Sequence, residues 1–209
     1  MITIWNWFVK ITAFPVQLLY FRFRVYTESK EARRRIKGPA ILISNHTSVL
    51  DYAVYLFVFF GRTLRFQMAE LLFRKPVLGV FLRMMGGIYV DRDARDFTCL
   101  TQSLEILRRG GVVGVFPEGR LPKDGEERPL PFKTGAAYLA LASGVPVIPL
   151  YTNGSYCKFK RARVMIGQPF CAEEIVGAGT DEKEALTRLN EEMRRRVIAL
   201  GALLEERAR

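Results

Sequence analysis

The chain has 209 residues, 49% hydrophobic and 25% charged, which suits one folded domain with a substantial core and excludes wholesale disorder. Its net charge of +11 favours an anionic partner (nucleic acid, anionic lipid headgroups, a phosphorylated substrate or an acidic carrier protein) or else a basic solubilising surface. Three scattered cysteines, Cys99, Cys157 and Cys171, beside a single histidine support neither a disulfide framework nor a zinc site, and point to reduced thiols in a cytoplasmic setting.

Residues 1–21, "MITIWNWFVKITAFPVQLLYF", carry one charged side chain, Lys10, and predict a helix. It does not read as a signal peptide, because Arg22 and Arg24 follow the apolar run and no small-residue cleavage site is present. Asn6, Lys10, Pro15 and Gln17 make it a poor spanning helix, whereas Trp5, Trp7, Phe8, Phe14 and Tyr20 suit the bilayer interface. The alternative is a helix packed on the protein's own core. The expectation is a membrane-seated helix, with Arg22 and Arg24 against anionic headgroups.

Beyond it, "RFRVYT" reads as an edge strand, "PAILIS" as a buried strand, and "SVLDYAVYLFVFF" as a helix with Thr47 or Ser48 as its cap. "LRFQMA" is a strand, "ELLFRKPVLGVFLRMM" a helix broken near Pro76, and "GGIYVDR" a strand ending in charge. "RDFTCLTQSLEILRRGG" has helical spacing and a glycine stop. The strand "VVGVF", the helix "TGAAYLALASG" and the strands "VPVIPLY" and "RARVMIGQPF" follow, and residues 180–209 close the chain as an amphipathic helix. Strands alternating with helices predict the α/β class, with helices covering both faces of the sheet.

Three apolar runs end in turns rich in chemistry. "ILISN" leads to His46, "GGIYV" to Asp91-Arg92-Asp93, and "VVGVF" to Pro117-Glu118-Gly119-Arg120. Taken alone, His46 reads as an ordinary turn histidine, Arg92 as a surface charge and Pro-Glu-Gly as a common turn. If the strands are neighbours, one rim gathers a histidine, three carboxylates and two arginines. Asp51 follows His46 by five places, about 140° around a helix, so the two meet only if His46 precedes the helix and Asp51 opens it. Asp51 would then fix the imidazole tautomer, leaving the other nitrogen as a general base. Arg92 and Arg120 offer guanidinium forks for a phosphate, Glu118 a carboxylate for a hydroxyl, and Lys133, at a helix start, a further phosphate contact.

These motifs resemble the glycerolipid acyltransferases typified by bacterial 1-acylglycerol-3-phosphate (lysophosphatidic acid) acyltransferase. "NHTSVLD" is similar to that family's histidine-four-residues-aspartate block, "GGIYVDR" to its phosphate-contacting block, "VFPEGR" to its acceptor turn and "VPVIPL" to its fourth block. They occur in the family's order across residues 38–150. The resemblance implies a glycerolphosphate-acyltransferase-like mixed sheet covered by helices. It makes His46 the base and Asp51 its partner, with Arg92, Glu118, Gly119 and Arg120 binding the acceptor. One departure stands out: the family commonly continues Phe-Pro-Glu-Gly-Thr-Arg-Ser, whereas Arg120 here follows Gly119 directly.

The expectation is therefore an enzyme, an acyltransferase without a cofactor or metal. It moves a fatty acyl group from coenzyme A or acyl carrier protein to a lysophospholipid hydroxyl, with lysophosphatidic acid first among acceptors. Residues 1–24 would form the membrane-associated segment and 25–209 the catalytic domain, seated at the cytoplasmic face of the cell membrane. Glycerol 3-phosphate or another lysolipid is the alternative acceptor. A non-catalytic basic module for anionic lipid is the alternative class, though it gives His46 and Asp51 no task. Nucleic acid is not expected, since RNP-like aromatic patches and zinc spacings are absent.

Overall fold

The computed structural model describes residues 1–32, 35–91, 97–156, 161–177 and 179–208. Seven strands form one sheet: β1 (Arg24–Thr27), β2 (Ala40–Ser44), β3 (Leu64–Ala69), β4 (Ile88–Val90), β5 (Val112–Val115), β6 (Val147–Thr152) and β7 (Arg163–Ile166). Their order is β1-β7-β6-β2-β5-β3-β4, and every neighbouring pair is parallel except β6–β7. The C-terminal tips of β2 to β6 thus share one rim, where such sheets gather functional groups.

Burial explains the central strands. Every residue of β2 and β5 is buried, as expected for apolar runs with helices on both faces. Among the described residues seven helices surround the sheet: α1 (Ile2–Tyr20), α2 (Asp51–Val58), α3 (Glu70–Arg74), α4 (Pro76–Met85), α5 (Thr98–Arg108), α6 (Gly135–Ser143) and α7 (Glu182–Ala208). One core cluster joins α2 and α4 to the sheet through Tyr52, Leu56, Leu82 and Phe66, and a second joins α5, α6 and α7 through Ile106, Leu139 and Val197. Pro76 divides α3 from α4 as the sequence suggests, because it stands at a first helical position after an extended Lys75. β1 lies at the sheet edge, also as expected.

Two expectations are corrected. α2 begins at Asp51, not at Ser48, and has no side-chain cap on its N-cap residue. Residues 46–50 are instead a turn shaped by the Asp51 carboxylate. β4 is not a neighbour of β5, because β3 runs between them.

α1 has its polarity reversed relative to a helix that simply completes a soluble core. Asn6, Lys10 and Gln17 are buried, while Ile4, Phe8, Ile11, Val16 and Leu19 are each more than half exposed. Lys10 Nζ donates to the carbonyls of Phe60 (3.0 Å) and Arg62 (2.6 Å), just past the end of α2, and Asn6 Nδ2 donates to Met85 O (3.0 Å) at the end of α4. Burial lowers the Lys10 ammonium to about 8. No helix among the described residues is long and apolar enough to cross a membrane.

Gly114 sets the spacing beneath the rim. A Cβ there would overlap the Phe66 ring. Phe66 packs 5.1 Å from Phe116, which stacks 4.1 Å from His46 with 13° between the planes. Gly114→Ala should therefore cost about 1–3 kcal/mol by overpacking and disturb this stack. Gly61→Ala, which meets nothing within 4 Å, should stay near wild type. Urea unfolding of the two variants checks the difference.

Candidate active site

A strand leaving its sheet must find new partners for its backbone groups. At the tip of β2 the Asn45 side chain supplies them, accepting from Thr152 N and donating to Thr152 O, both at 2.9 Å. It thereby fastens the β2 tip to β6. The next backbone N–H, that of His46, donates to Glu118 Oε1 at 2.6 Å. Strand register brings the two together: Ile43 pairs with Val115, each three residues earlier.

The imidazole turns to Asp51. His46 Nδ1 lies 2.9 Å from Asp51 Oδ2, and the His46 side chain is 17% exposed while that of Asp51 is 0% exposed. Oδ2 also accepts from the N–H groups of Thr47 (2.7 Å) and Ser48 (3.0 Å). Oδ1 accepts from Thr47 Oγ1 (2.8 Å) and from the Tyr156 hydroxyl (2.5 Å). An ionised carboxylate only accepts, so His46 donates from Nδ1 and its Nε2 carries the free lone pair. That is the tautomer a general base requires.

Glu118 faces the protein's own backbone. It is 4% exposed, and its second oxygen accepts from Leu130 N at 2.8 Å. Burial raises its carboxyl above the usual range, and the two backbone donors oppose that shift. Both oxygens hold the protein's own backbone, and Glu118 is not on the cavity wall. Arg120 is likewise off that wall; it is exposed and forms a bidentate pair with Glu126, each bond 2.7 Å. Arg92 lies outside the described residues, as does Asp93.

Gly119 and Lys133 do reach the cavity. Gly119 has φ +71°, and its missing Cβ leaves space for Lys133 Cε, which a methyl there would approach to 2.9 Å. The cavity measures about 700 Å³ and opens beside His46. Its walls are mainly apolar, with Leu50, Leu72, Phe81 and Leu82 on one side of the strand tips and Leu100 and Ala136 on the other. Lys133, Thr134 and Gly135 place the N-terminus of α6 on its rim. Sequence reasoning missed the apolar wall from α3 and α4, the buried Tyr52 hydroxyl that finds no partner among the described residues, and Tyr156. The first could have been suspected from the apolar face of "PVLGVFLRMM"; the other two carry no local signal.

A histidine held by a buried aspartate on the wall of an apolar cavity has the geometry to take a proton from a substrate with a long apolar part. The sequence comparisons agree with that class. A family model described as Acyltransferase matches residues 22–153, and the chain belongs to this family. A chloroplastic 1-acyl-sn-glycerol-3-phosphate acyltransferase from Brassica napus is 38% identical over 119 residues, covering 56% of this chain and 33% of the relative. The 1-acyl-sn-glycerol-3-phosphate acyltransferase of Haemophilus influenzae is 28% identical over 170 residues, covering 79% and 66%. The crystal structure of the acyltransferase PlsC from Thermotoga maritima superposes with a TM-score of 0.63 at 26% identity, covering 94% of this chain and 78% of that one. The chain spans a third to a half of the length of its plant and human relatives.

His46→Ala should lower turnover by at least ~10²–10⁴-fold, the usual contribution of a positioned base. Four donors to Asp51 remain in that variant, so its melting temperature should stay close to wild type. Steady-state kinetics beside a thermal melt test both halves.

Proposed function

We propose that this chain transfers a fatty acyl group from a coenzyme A or acyl carrier protein thioester to the free hydroxyl of lysophosphatidic acid, giving phosphatidic acid. The observation that carries the reading is the His46–Asp51 pair, 2.9 Å apart and oriented by further donors, with His46 on the wall of an apolar cavity. Nε2 takes the proton of the acceptor hydroxyl as its oxygen bonds to the thioester carbonyl carbon. The carbon–sulfur bond then breaks, and the imidazolium returns the proton to the departing thiolate. Asp51 stabilises the imidazolium in between. The thioester is already activated, so no protein nucleophile is needed. The names of the bacterial, plant and human relatives support the same acceptor.

The acceptor phosphate sits, on this reading, near Lys133 and the N-terminus of α6, with Arg92 as a further contact. Arg120 can join only by leaving Glu126, and an exposed ion pair of that kind is weak. Incubating the purified protein with labelled acyl thioester and a panel of lysolipids, monoacylglycerol and glycerol 3-phosphate decides the acceptor. Lysophosphatidic acid should be preferred; preference for glycerol 3-phosphate or for an uncharged acceptor would reassign the substrate. Arg92→Ala should lose roughly 10- to 150-fold in kcat/KM toward lysophosphatidic acid and far less toward monoacylglycerol.

The enzyme works, we propose, at the cytoplasmic face of the cell membrane. The outward apolar face of α1 supports this, because aromatic and aliphatic side chains exposed on one helix face enter a bilayer interface readily. The basic balance of the chain adds attraction to anionic lipid. Phe8 and Ile11 are 54% and 61% exposed, so replacing both with Glu should change stability little. The same variant should lose most of its sedimentation with anionic vesicles. Unchanged sedimentation would place the membrane contact elsewhere.

A further inference from the structure

The loop after β6 reaches the catalytic pair, and nothing in the acyl-transfer scheme has yet used it. Tyr156 is 8% exposed, lies 105 residues from Asp51 in sequence, and places its hydroxyl 2.5 Å from Asp51 Oδ1. The direction of this bond is fixed by chemistry. An ionised Asp51 can only accept, so Tyr156 donates. Its oxygen then accepts from Thr152 Oγ1 at 2.8 Å, and Thr152 Oγ1 in turn accepts from Gly154 N at 3.3 Å. Donors therefore run in one direction, from Gly154 through Thr152 and Tyr156 to the carboxylate. Each bond polarises the next in a water-poor setting.

Four features hold this chain of donors in place. Asn45 clamps the Thr152 backbone at the β6 tip. Asn153 Oδ1 accepts from Arg163 N at 2.9 Å, tying the loop to β7. Gly154 has φ +64°, and a Cβ there would meet Thr47 Oγ1 at 2.6 Å, so only glycine lets the loop come this close to the turn that carries the other Asp51 donors. The Tyr156 ring is set edge-on against Phe21 at 5.8 Å, which leaves the hydroxyl little freedom to swing. Burial and the nearby Asp51 charge both raise the phenol above its ordinary range, so it stays protonated and able to donate.

We propose that Tyr156 is a positioning residue of the reaction: it occupies Asp51 Oδ1 so that Oδ2 is left facing His46 Nδ1, and it tempers how strongly Asp51 draws the imidazole proton. The inference rests on His46 acting as the base. It adds that the loop following β6 belongs to the catalytic apparatus, although Tyr156 touches no substrate.

Tyr156→Phe keeps the ring and removes the donor. Its effect should fall on kcat, about tenfold, with KM within twofold, because Asp51 acts through the base and not through binding. Freed of one donor, Asp51 attracts the imidazole proton more strongly, so the acid limb of the kcat/KM profile should move to higher pH. The other polar groups near Asp51, the Tyr55 hydroxyl, Glu118 and the Thr47 hydroxyl, are unchanged in this variant. Tyr55→Phe is the control. It deletes an equally buried hydroxyl, bonded to Ser44 and not to Asp51, and should leave kcat within twofold and the pH profile unmoved. In an Asp51→Asn background, Tyr156→Phe should have little further effect on kcat.

A Tyr156→Phe enzyme with normal kcat and an unmoved acid limb would overturn the proposal. So would losses that add independently to those of Asp51→Asn, or losses matched by Tyr55→Phe. Failure of the base assignment itself reads differently: His46→Ala would then remain active whatever Tyr156 does.

Discussion

A carboxylate sealed from water is stable only if both its oxygens find donors, and much of this rim is arranged around that requirement at Asp51. The turn of residues 46–48 closes onto Oδ2, while Thr47 and the loop after β6 close onto Oδ1. A second buried carboxylate, Glu118, holds the same histidine from the other side through its backbone N–H. His46 is thus fixed at two points by two acidic side chains. One governs the ring and its tautomer, the other the position of the main chain. Phe116 stacks on the remaining face of the ring, which leaves Nε2 as the group free for chemistry.

The same economy links the N-terminal helix to the body. Buried lysine is costly unless its donors are used, and Lys10 donates to the carbonyls of Phe60 and Arg62 in the turn after α2. Turning its few polar groups inward leaves α1 with an apolar outer face. The active-site helix α2 and the outward-facing helix are therefore braced against each other, and α4, which walls the cavity, is braced by Asn6. The cavity and the helix with the exposed apolar face therefore share one frame.

Much of the fold was legible because apolar runs and breakers coincide with element boundaries. "LRFQMA" forms β3 over the same residues, and Pro76 divides two helices where a ring without an N–H must. The start of α2 was misjudged because Thr47 and Ser48 look like caps, whereas a downstream carboxylate reaches back for their N–H groups. His46 and Asp51 were legible from spacing, since both belong to one turn. The surroundings of Glu118 were not legible, because sequence cannot show that its oxygens face backbone donors at His46 and Leu130. Arg120 was assigned to phosphate, yet six residues on it meets Glu126. Tyr156 could not be found at all, since only strand order brings β6 beside β2.

The central claim is that the neutral His46 ring keeps its proton on Nδ1, held by Asp51, and its lone pair on Nε2. Because it is the only histidine in the chain, nitrogen NMR of protein labelled in histidine alone reports this ring without ambiguity. For the neutral form of the ring the account predicts one protonated nitrogen assigned to Nδ1, with its proton protected from exchange and shifted downfield by the carboxylate, and an unprotonated Nε2. A proton on Nε2, or a ring that exchanges freely between tautomers, would contradict it.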